Sequence, residues 1–231
     1  MTSHLYPSDQ PHLEPTPTAD QTKLSMAVGG GTTAEAVAGL AAGTLAILGL
    51  AGVLPFYMTT IGVIAAGAAL FIEGAAVAGA YAKLSYDTAV PETQQLEVGG
   101  GFGAQGIGGA AAIVLGILSL VGILPQILVP ISVMVLGAAL LLGGAARPEL
   151  NFAQLGVRGA TPHARYLAHQ AIIGTSGVLS LVGIGALVLG ILALVQGPTL
   201  ELSMVAILAV GAAELLGGSA MLGRLVVARR H

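Results

Sequence analysis

Residues 36–58 read AVAGLAAGTLAILGLAGVLPFYM, an uncharged run interrupted near its end by Pro55. At about 1.5 Å of rise per residue, the part before the proline already approaches the ~30 Å hydrocarbon core of a bilayer. A second apolar stretch follows at once, through 61–72 and 74–82. The pattern reads as a helical hairpin with its turn at the proline. Strands are excluded because these runs lack the polar–apolar alternation of a membrane barrel, and a helix satisfies its own backbone groups in lipid.

The same unit then recurs. A shift of 70 residues carries Val28-Gly29-Gly30-Gly31 onto Val98-Gly99-Gly100-Gly101, Gly39 onto Gly109, and Leu54-Pro55 onto Leu124-Pro125. It also carries Gly67-Ala68-Ala69-Leu70 onto Gly137-Ala138-Ala139-Leu140, and Gly74 onto Gly144. A further shift of 74 places Ile117-Leu118 on Ile191-Leu192, and Gly137 and Gly144 on Gly211 and Gly218, with the turn proline displaced to Pro198. Tandem self-similarity of this kind marks a chain built by repetition of one supersecondary unit. The expected fold is therefore all-α, a polytopic membrane protein of six transmembrane helices arranged as three Gly/Ala-rich hairpins. The spans are expected at 33–54, 57–83, 103–123, 127–146, 169–195 and 200–226. Hairpin repeats occupy 28–86, 98–147 and 168–231, joined by linkers at 87–97 and 148–167.

Composition supports this reading. Hydrophobic residues make up 55 % of the 231 and charged residues 8 %, against about 25 % charged in an average soluble chain. A soluble fold could not cover its surface with so few charges. There is no cysteine, which removes disulfides, thiol catalysis and cysteine metal sites. The net charge of −3 argues against nucleic acid as a partner.

Charge also predicts orientation. The basic residues Lys23, Lys83, Arg147, Arg158, Arg165, Arg224, Arg229 and Arg230 all fall at the termini or between hairpins, and the tips around Pro55, Pro125 and Pro198 hold none. The positive-inside rule then puts both termini in the cytoplasm and the protein in the inner membrane. Phe56 and Tyr57 suit the outer interface, and Tyr81, Tyr86, Phe152 and Tyr166 the inner one.

Residues 1–27 differ from the rest. They hold Pro7, Pro11, Pro15 and Pro17 among Ser, Thr, Asp and Gln, too little apolar surface to offset ordering. A disordered cytoplasmic tail is expected. Within it His4-Leu5-Tyr6-Pro7 and His12-Leu13-Glu14-Pro15 repeat one pattern. His4, Leu5, Pro7, His12, Leu13 and Pro15 are thus a candidate docking motif for a cytoplasmic partner, set against a chance echo in a solvated tail.

Two features inside the membrane invite chemistry. The first is a glycine seam. Gly39 and Gly43 are four apart, and Gly67/Gly74, Gly137/Gly144 and Gly211/Gly218 are each seven apart, so each pair shares a helix face. Small residues let helix backbones approach where lipid gives no hydrophobic reason to associate. The seam reads as packing within and between hairpins, or in an oligomer; the other reading is the lining of a narrow pore. The second feature is acid. Glu73 and Glu214 lie on second helices with no basic residue one turn away, and carboxylates in hydrocarbon are costly enough to be functional suspects. Glu35 is placed to lie level with Glu73 across the first hairpin, where two carboxyls could hold one proton between them. Glu35, Glu73 and Glu214 are therefore the candidate proton or ion residues. Against this stands a structural carboxyl hydrogen-bonded to a neighbour such as Ser180.

Other motifs carry less. His163 and His169 are six apart in an inter-repeat segment, not at the spacing of a helical metal pair, and read as a solvated loop. Gly29–Gly31 and the glycines of 99–103 lack the strand and Lys-Ser/Thr of a phosphate loop and are expected to mark helix entrances. No nucleophile, base and orienting group occur together, so neither an enzyme nor a cofactor is expected.

The run Leu115-Gly116-Ile117-Leu118-Ser119-Leu120, then Pro125, then Gly137-Ala138-Ala139-Leu140-Leu141-Leu142-Gly143-Gly144 resembles the hairpin repeat of the HdeD-like acid-resistance membrane proteins, as does Leu189-Gly190-Ile191-Leu192-Ala193-Leu194 with Pro198 and Gly211. The resemblance covers roughly 33–226. It implies three hairpins and a link to acid stress, and it brings no functional residue with it. The Gly-rich hairpins with a membrane Glu bear a weaker likeness to rotary-ATPase proteolipids, whose polar loop belongs at the hairpin tip, where this chain is apolar. The function expected is a non-enzymatic membrane scaffold, contacting lipids and packed as a homo-oligomer or around a membrane partner. The alternative is a proton or small-ion channel or transporter using Glu73 and Glu214.

Overall fold

A computed structural model describes residues 19–87, 92–154, 162–197 and 199–228, with side chains described over 33–76, 103–144, 177–197 and 199–217. The described residues form six helices: α1 Ala19–Leu50, α2 Pro55–Asp87, α3 Glu92–Leu120, α4 Pro125–Gln154, α5 Pro162–Gln196 and α6 Thr199–Ala228. Each contains a stretch long and apolar enough to cross a membrane. The architecture is that of a multi-pass membrane protein, and the hairpins are α1–α2, α3–α4 and α5–α6.

The turns follow from the repeated Gly and Pro. At the end of α1 the Gly52 N–H donates to the Gly49 carbonyl and the Val53 N–H to the Leu48 carbonyl, both at 3.0 Å. Gly52 has φ +85°. This is a Schellman closure, with glycine in the left-handed position that a side chain would strain. Hairpin 2 repeats it: Gly122 N–H to Ser119 at 2.9 Å, Ile123 N–H to Leu118 at 3.0 Å, and φ +93° at Gly122. Gly197 takes the same conformation, at φ +91°. Pro55 and Pro125 each open a helix, where a missing N–H costs nothing. The expected spans therefore shift: the turn lies at 51–54, before the proline.

The helices also run past the apolar stretches. α1 begins at Ala19, inside the segment expected to be a disordered tail. α3 begins at Glu92, α4 continues to Gln154 and α5 starts at Pro162, so much of the expected linkers is helical. His163 and His169 consequently lie in α5 and not in a loop. Gly29–Gly31 and the glycines of 99–103 lie inside α1 and α3 and do not open them. These extensions carry polar residues that hydropathy reads as non-membrane, and a helix need not end where its apolar stretch does. Of the expected tail, residues 1–18, including the candidate docking residues, lie outside the described residues.

The six helices close into a ring. Each hairpin packs on itself, and α2 packs on α3, α4 on α5 and α6 on α1, while α2, α4 and α6 meet at the centre. The central face of α2 carries Thr59, Val63, Ala66, Leu70 and Glu73, that of α4 carries Val129, Val133, Leu136, Leu140 and Gly143, and that of α6 carries Ser203, Ile207, Val210, Glu214 and Gly217, all buried. These positions alternate in steps of four and three, the spacing of a left-handed helix seam. Val37, Leu40, Ile107, Val114 and Leu181 instead point outward from α1, α3 and α5, as suits a lipid-facing surface.

Candidate functional site

The glycines decide how close the hairpins come. A Cβ on Gly67 would lie 2.8 Å from the Gly109 carbonyl oxygen, one on Gly137 2.7 Å from that of Gly183, and one on Gly211 2.7 Å from that of Gly39. All are closer than a real Cβ tolerates, so α2–α3, α4–α5 and α6–α1 are the same backbone-to-backbone crossing used three times. Gly43 belongs to the last of these, its N–H 2.7 Å from a Cβ on Gly211, and Gly74 packs against Gly106 in the first. Gly144 faces Ser180, whose Oγ would be 2.9 Å from an added Cβ. Gly218 lies outside the described side chains. The seam is therefore spent inside one chain, between successive hairpins. Gly109 and Gly183, the partners in these crossings, were open to detection: the shifts of 70 and 74 that relate the repeats carry Gly39 onto both.

The buried polar side chains separate into two groups. Near the hairpin tips, four hydroxyls bond back into their own helices: Thr59 Oγ1 donates to the Pro55 carbonyl at 2.6 Å, Thr60 to Phe56 at 2.8 Å, Ser132 to Leu128 at 2.7 Å and Ser203 to Thr199 at 2.5 Å, while the buried Ser119 Oγ has no hydrogen-bond partner among the described residues. Such bonds satisfy the hydroxyl locally and leave little for a ligand. Toward the termini lie Glu35, Glu73, Gln105 and Glu214, exposed by 1, 5, 0 and 0 %.

Register fixes the relation of the two acids in hairpin 1. A Cβ on Gly49 would meet Met58 Cβ at 3.3 Å, and one on Gly62 would meet Leu45 Cβ at 3.8 Å. Continuing that antiparallel register back along α1 and forward along α2 puts Glu35 level with Ile72, within one residue of Glu73. In hairpin 2 the equivalents of these residues, Gln105 and Gly143, touch, and the glycine makes room for it: a Cβ on Gly143 would overlap Gln105 Oε1. Gln105 also reaches the neighbouring hairpin, its Nε2 donating to Glu73 Oε2 at 2.5 Å. Glu73 thus accepts from Gln105 of the next hairpin, at the end of hairpin 1 that also holds Glu35.

Glu214 is set apart. Its Cβ lies 2.8 Å from where a Gly39 Cβ would be, at the α6–α1 crossing, one turn nearer the tips than Glu35. Ser180, expected as a partner for it, sits instead on Gly144 at the α4–α5 crossing. Among the described residues no three acidic or histidine side chains converge into a metal cage.

Gln105 went unnoticed in the sequence. The signal existed: it is the sole non-apolar side chain of 102–118, and the shift of 70 residues carries Glu35 onto it. No family model, curated protein or solved structure matches the chain.

Proposed function

We propose that this chain is a non-enzymatic scaffold of the cytoplasmic (inner) membrane, a rigid six-helix ring that presents its outer faces to lipid and to a membrane partner or a second copy, with both termini in the cytoplasm. The observation that carries this reading is the filled axis. Val63, Val133, Ile207, Ala66, Leu136, Val210, Leu70 and Leu140 are buried to within about 1 % along the α2–α4–α6 centre, and fully buried apolar layers leave no continuous wet path. The resemblance to HdeD-like proteins adds an expectation of a stress-related role, and the N-terminal tail remains the candidate contact for a cytoplasmic partner.

Flux through proteoliposomes tests the reading. No proton flux above that of empty vesicles is expected under a valinomycin-clamped gradient. A wild-type flux that disappears in Glu73→Gln or Glu214→Gln would overturn it in favour of the channel or transporter alternative, which draws its support from the buried acids. The orientation rests on the basic residues and is tested separately. The chain lacks cysteine, so single cysteines at Gln126 and Gly197 report the tips; labelling from outside intact cells is expected, and labelling from the cytoplasmic side alone would reverse the topology.

A further inference from the structure

We propose that the tips of hairpins 1 and 2 are seated in the boundary between lipid headgroups and acyl chains, so that their turns bind the bilayer and hairpin 3 alone presents its tip to water. The inference does not depend on the scaffold reading. It starts from two strained leucines. Leu54 and Leu124 have φ +40°, in the left-handed region that a bulky side chain rarely adopts. They are equivalent positions of two repeats, and among the described residues they are the non-glycine residues with positive φ. Strain of this kind persists where something else offsets it. The side chains gain no cover from the protein: Leu54 is 60 % and Leu124 63 % exposed. The repeated turn holds each leucine off the end of the bundle, where water would penalise it and lipid would stabilise it.

The surroundings of the leucines agree. Val53 and Ile123, also equivalent, are exposed, as is Val121. Tyr57, half exposed just inside the first tip, has the amphipathic ring that favours the interface. No charged residue lies between Glu35 and Glu73 or between Glu97 and Arg147. The apolar tips are continuous with the outward sides of α1 and α3, where Leu50 and Leu120 are exposed. The backbone fits as well, because a turn that enters lipid has to satisfy its own N–H groups. Ala51, Gly52 and Val53 donate to the carbonyls of Ile47, Gly49 and Leu48 at 2.9–3.0 Å, and Val121, Gly122 and Ile123 donate to those of Ile117, Ser119 and Leu118 over the same range. Pro55 and Pro125 bring no donor. Hairpin 3 differs. Its tip exposes Gln196 and Glu201, the latter an acidic side chain that lipid would penalise, and its left-handed residue is Gly197, which carries no strain there. Three tips of one repeated fold thus divide into two that lipid covers and one that water covers.

The test uses the full chain in phospholipid vesicles. Because the chain has no cysteine, a fluorescent thiol dye attached in detergent before reconstitution reports one position at a time, in Val53→Cys, Ile123→Cys and Gln196→Cys. Quenching is read with iodide on both sides of the vesicle, and with nitroxides carried on lipid headgroups or upper acyl chains. Dyes at 53 and 123 should be quenched by the lipid nitroxides, and several-fold less by iodide than the dye at 196. Iodide quenching as strong at 53 and 123 as at 196 would overturn the proposal. Shielding from iodide without quenching by lipid would overturn it too, since a second copy or another protein would then cover the tips. Leu54→Asn with Leu124→Asn gives a second reading. Asparagine accepts a left-handed backbone and favours water, so iodide quenching at 53 and 123 should rise several-fold while the protein stays monodisperse. An unchanged depth together with a raised thermal transition would mean that the leucines are strained without serving the bilayer, and would refute their role.

Discussion

The α2–α3 and α4–α5 crossings begin alike and end differently. Both bring backbones together at a glycine pair, Gly67 on Gly109 and Gly137 on Gly183. Toward the termini, the first continues into Glu73 and Gln105, joined by a hydrogen bond. The second continues into Gly144, Leu179 and Ser180, which pack without a carboxyl. Architecture therefore rests on what the crossings share, and chemistry on what they do not. A threefold-repeated fold has kept one geometry while its buried acids, among the described residues, fall on α1, α2 and α6.

The comparison breaks most completely if the shared part is not what holds the ring. Gly109→Leu is the strongest challenge, because a Cβ alone would lie 2.5 Å from the Gly67 carbonyl oxygen and the Phe71 nitrogen. Backbone cannot retreat as a flexible side chain does, so the cost should exceed the ~1–3 kcal/mol typical of overpacking. Loss of the folded monomer in mild detergent is expected, seen as aggregation on size exclusion. Gly137→Leu at the equivalent crossing should do the same. A monodisperse protein of unchanged thermal stability in either case would remove the seam from the account. Because the seam lies within one chain, the effect should fall on folding and not on subunit number.

Hydropathy and repetition made most of this fold legible. Uncharged runs marked six helices, and prolines at matching positions marked the turns, since both signals are local. The pairing of α2 with α3 or of α6 with α1 was not legible, because a glycine face says that something approaches closely without saying what. Gln105 shows the limit more sharply. As a lone amide it reads as ordinary, and it acquires meaning when helix register places it between Glu73 and Gly143. Helix ends were misjudged for a different reason: Ala19 to Thr32 and Glu92 to Gly101 are helical but polar enough to look like linker.

The unshared part of the crossings predicts a pair of smaller effects. Gly143→Ala should destabilise by about 1–3 kcal/mol, since the new methyl would overlap Gln105 Oε1 and force the amide off Glu73. Gln105→Ala should also destabilise, by about 1–3 kcal/mol, by leaving Glu73 without that donor. The double variant should cost less than the two added together, because the methyl then enters vacated space, and a thermal-denaturation cycle reads that coupling. Strict additivity would mean that the two residues do not act on each other. Glu214→Gln, which keeps shape and one hydrogen-bonding oxygen, should alter stability by less than either if Glu214 serves packing.

The smallest effect is expected where glycine faces nothing. Gly185 on α5 has no atom within 4 Å of an added Cβ, and Gly103 on α3 is equally open, although both lie in helices like the crossing glycines. Alanine removes backbone freedom from the unfolded chain, and in a helix interior it is favoured over glycine by about 0.5–1 kcal/mol in aqueous proteins. In lipid the backbone is already driven to helix by its need for internal hydrogen bonds, so the gain should be at the lower end or absent. Gly185→Ala and Gly103→Ala should therefore leave the thermal transition unchanged or slightly raised, measured beside Gly109→Ala, which should lower it. If the open glycines proved as sensitive as Gly109, close approach would no longer distinguish them, and a partner seated on the outer faces of α3 and α5 would be the better account of why those positions are small.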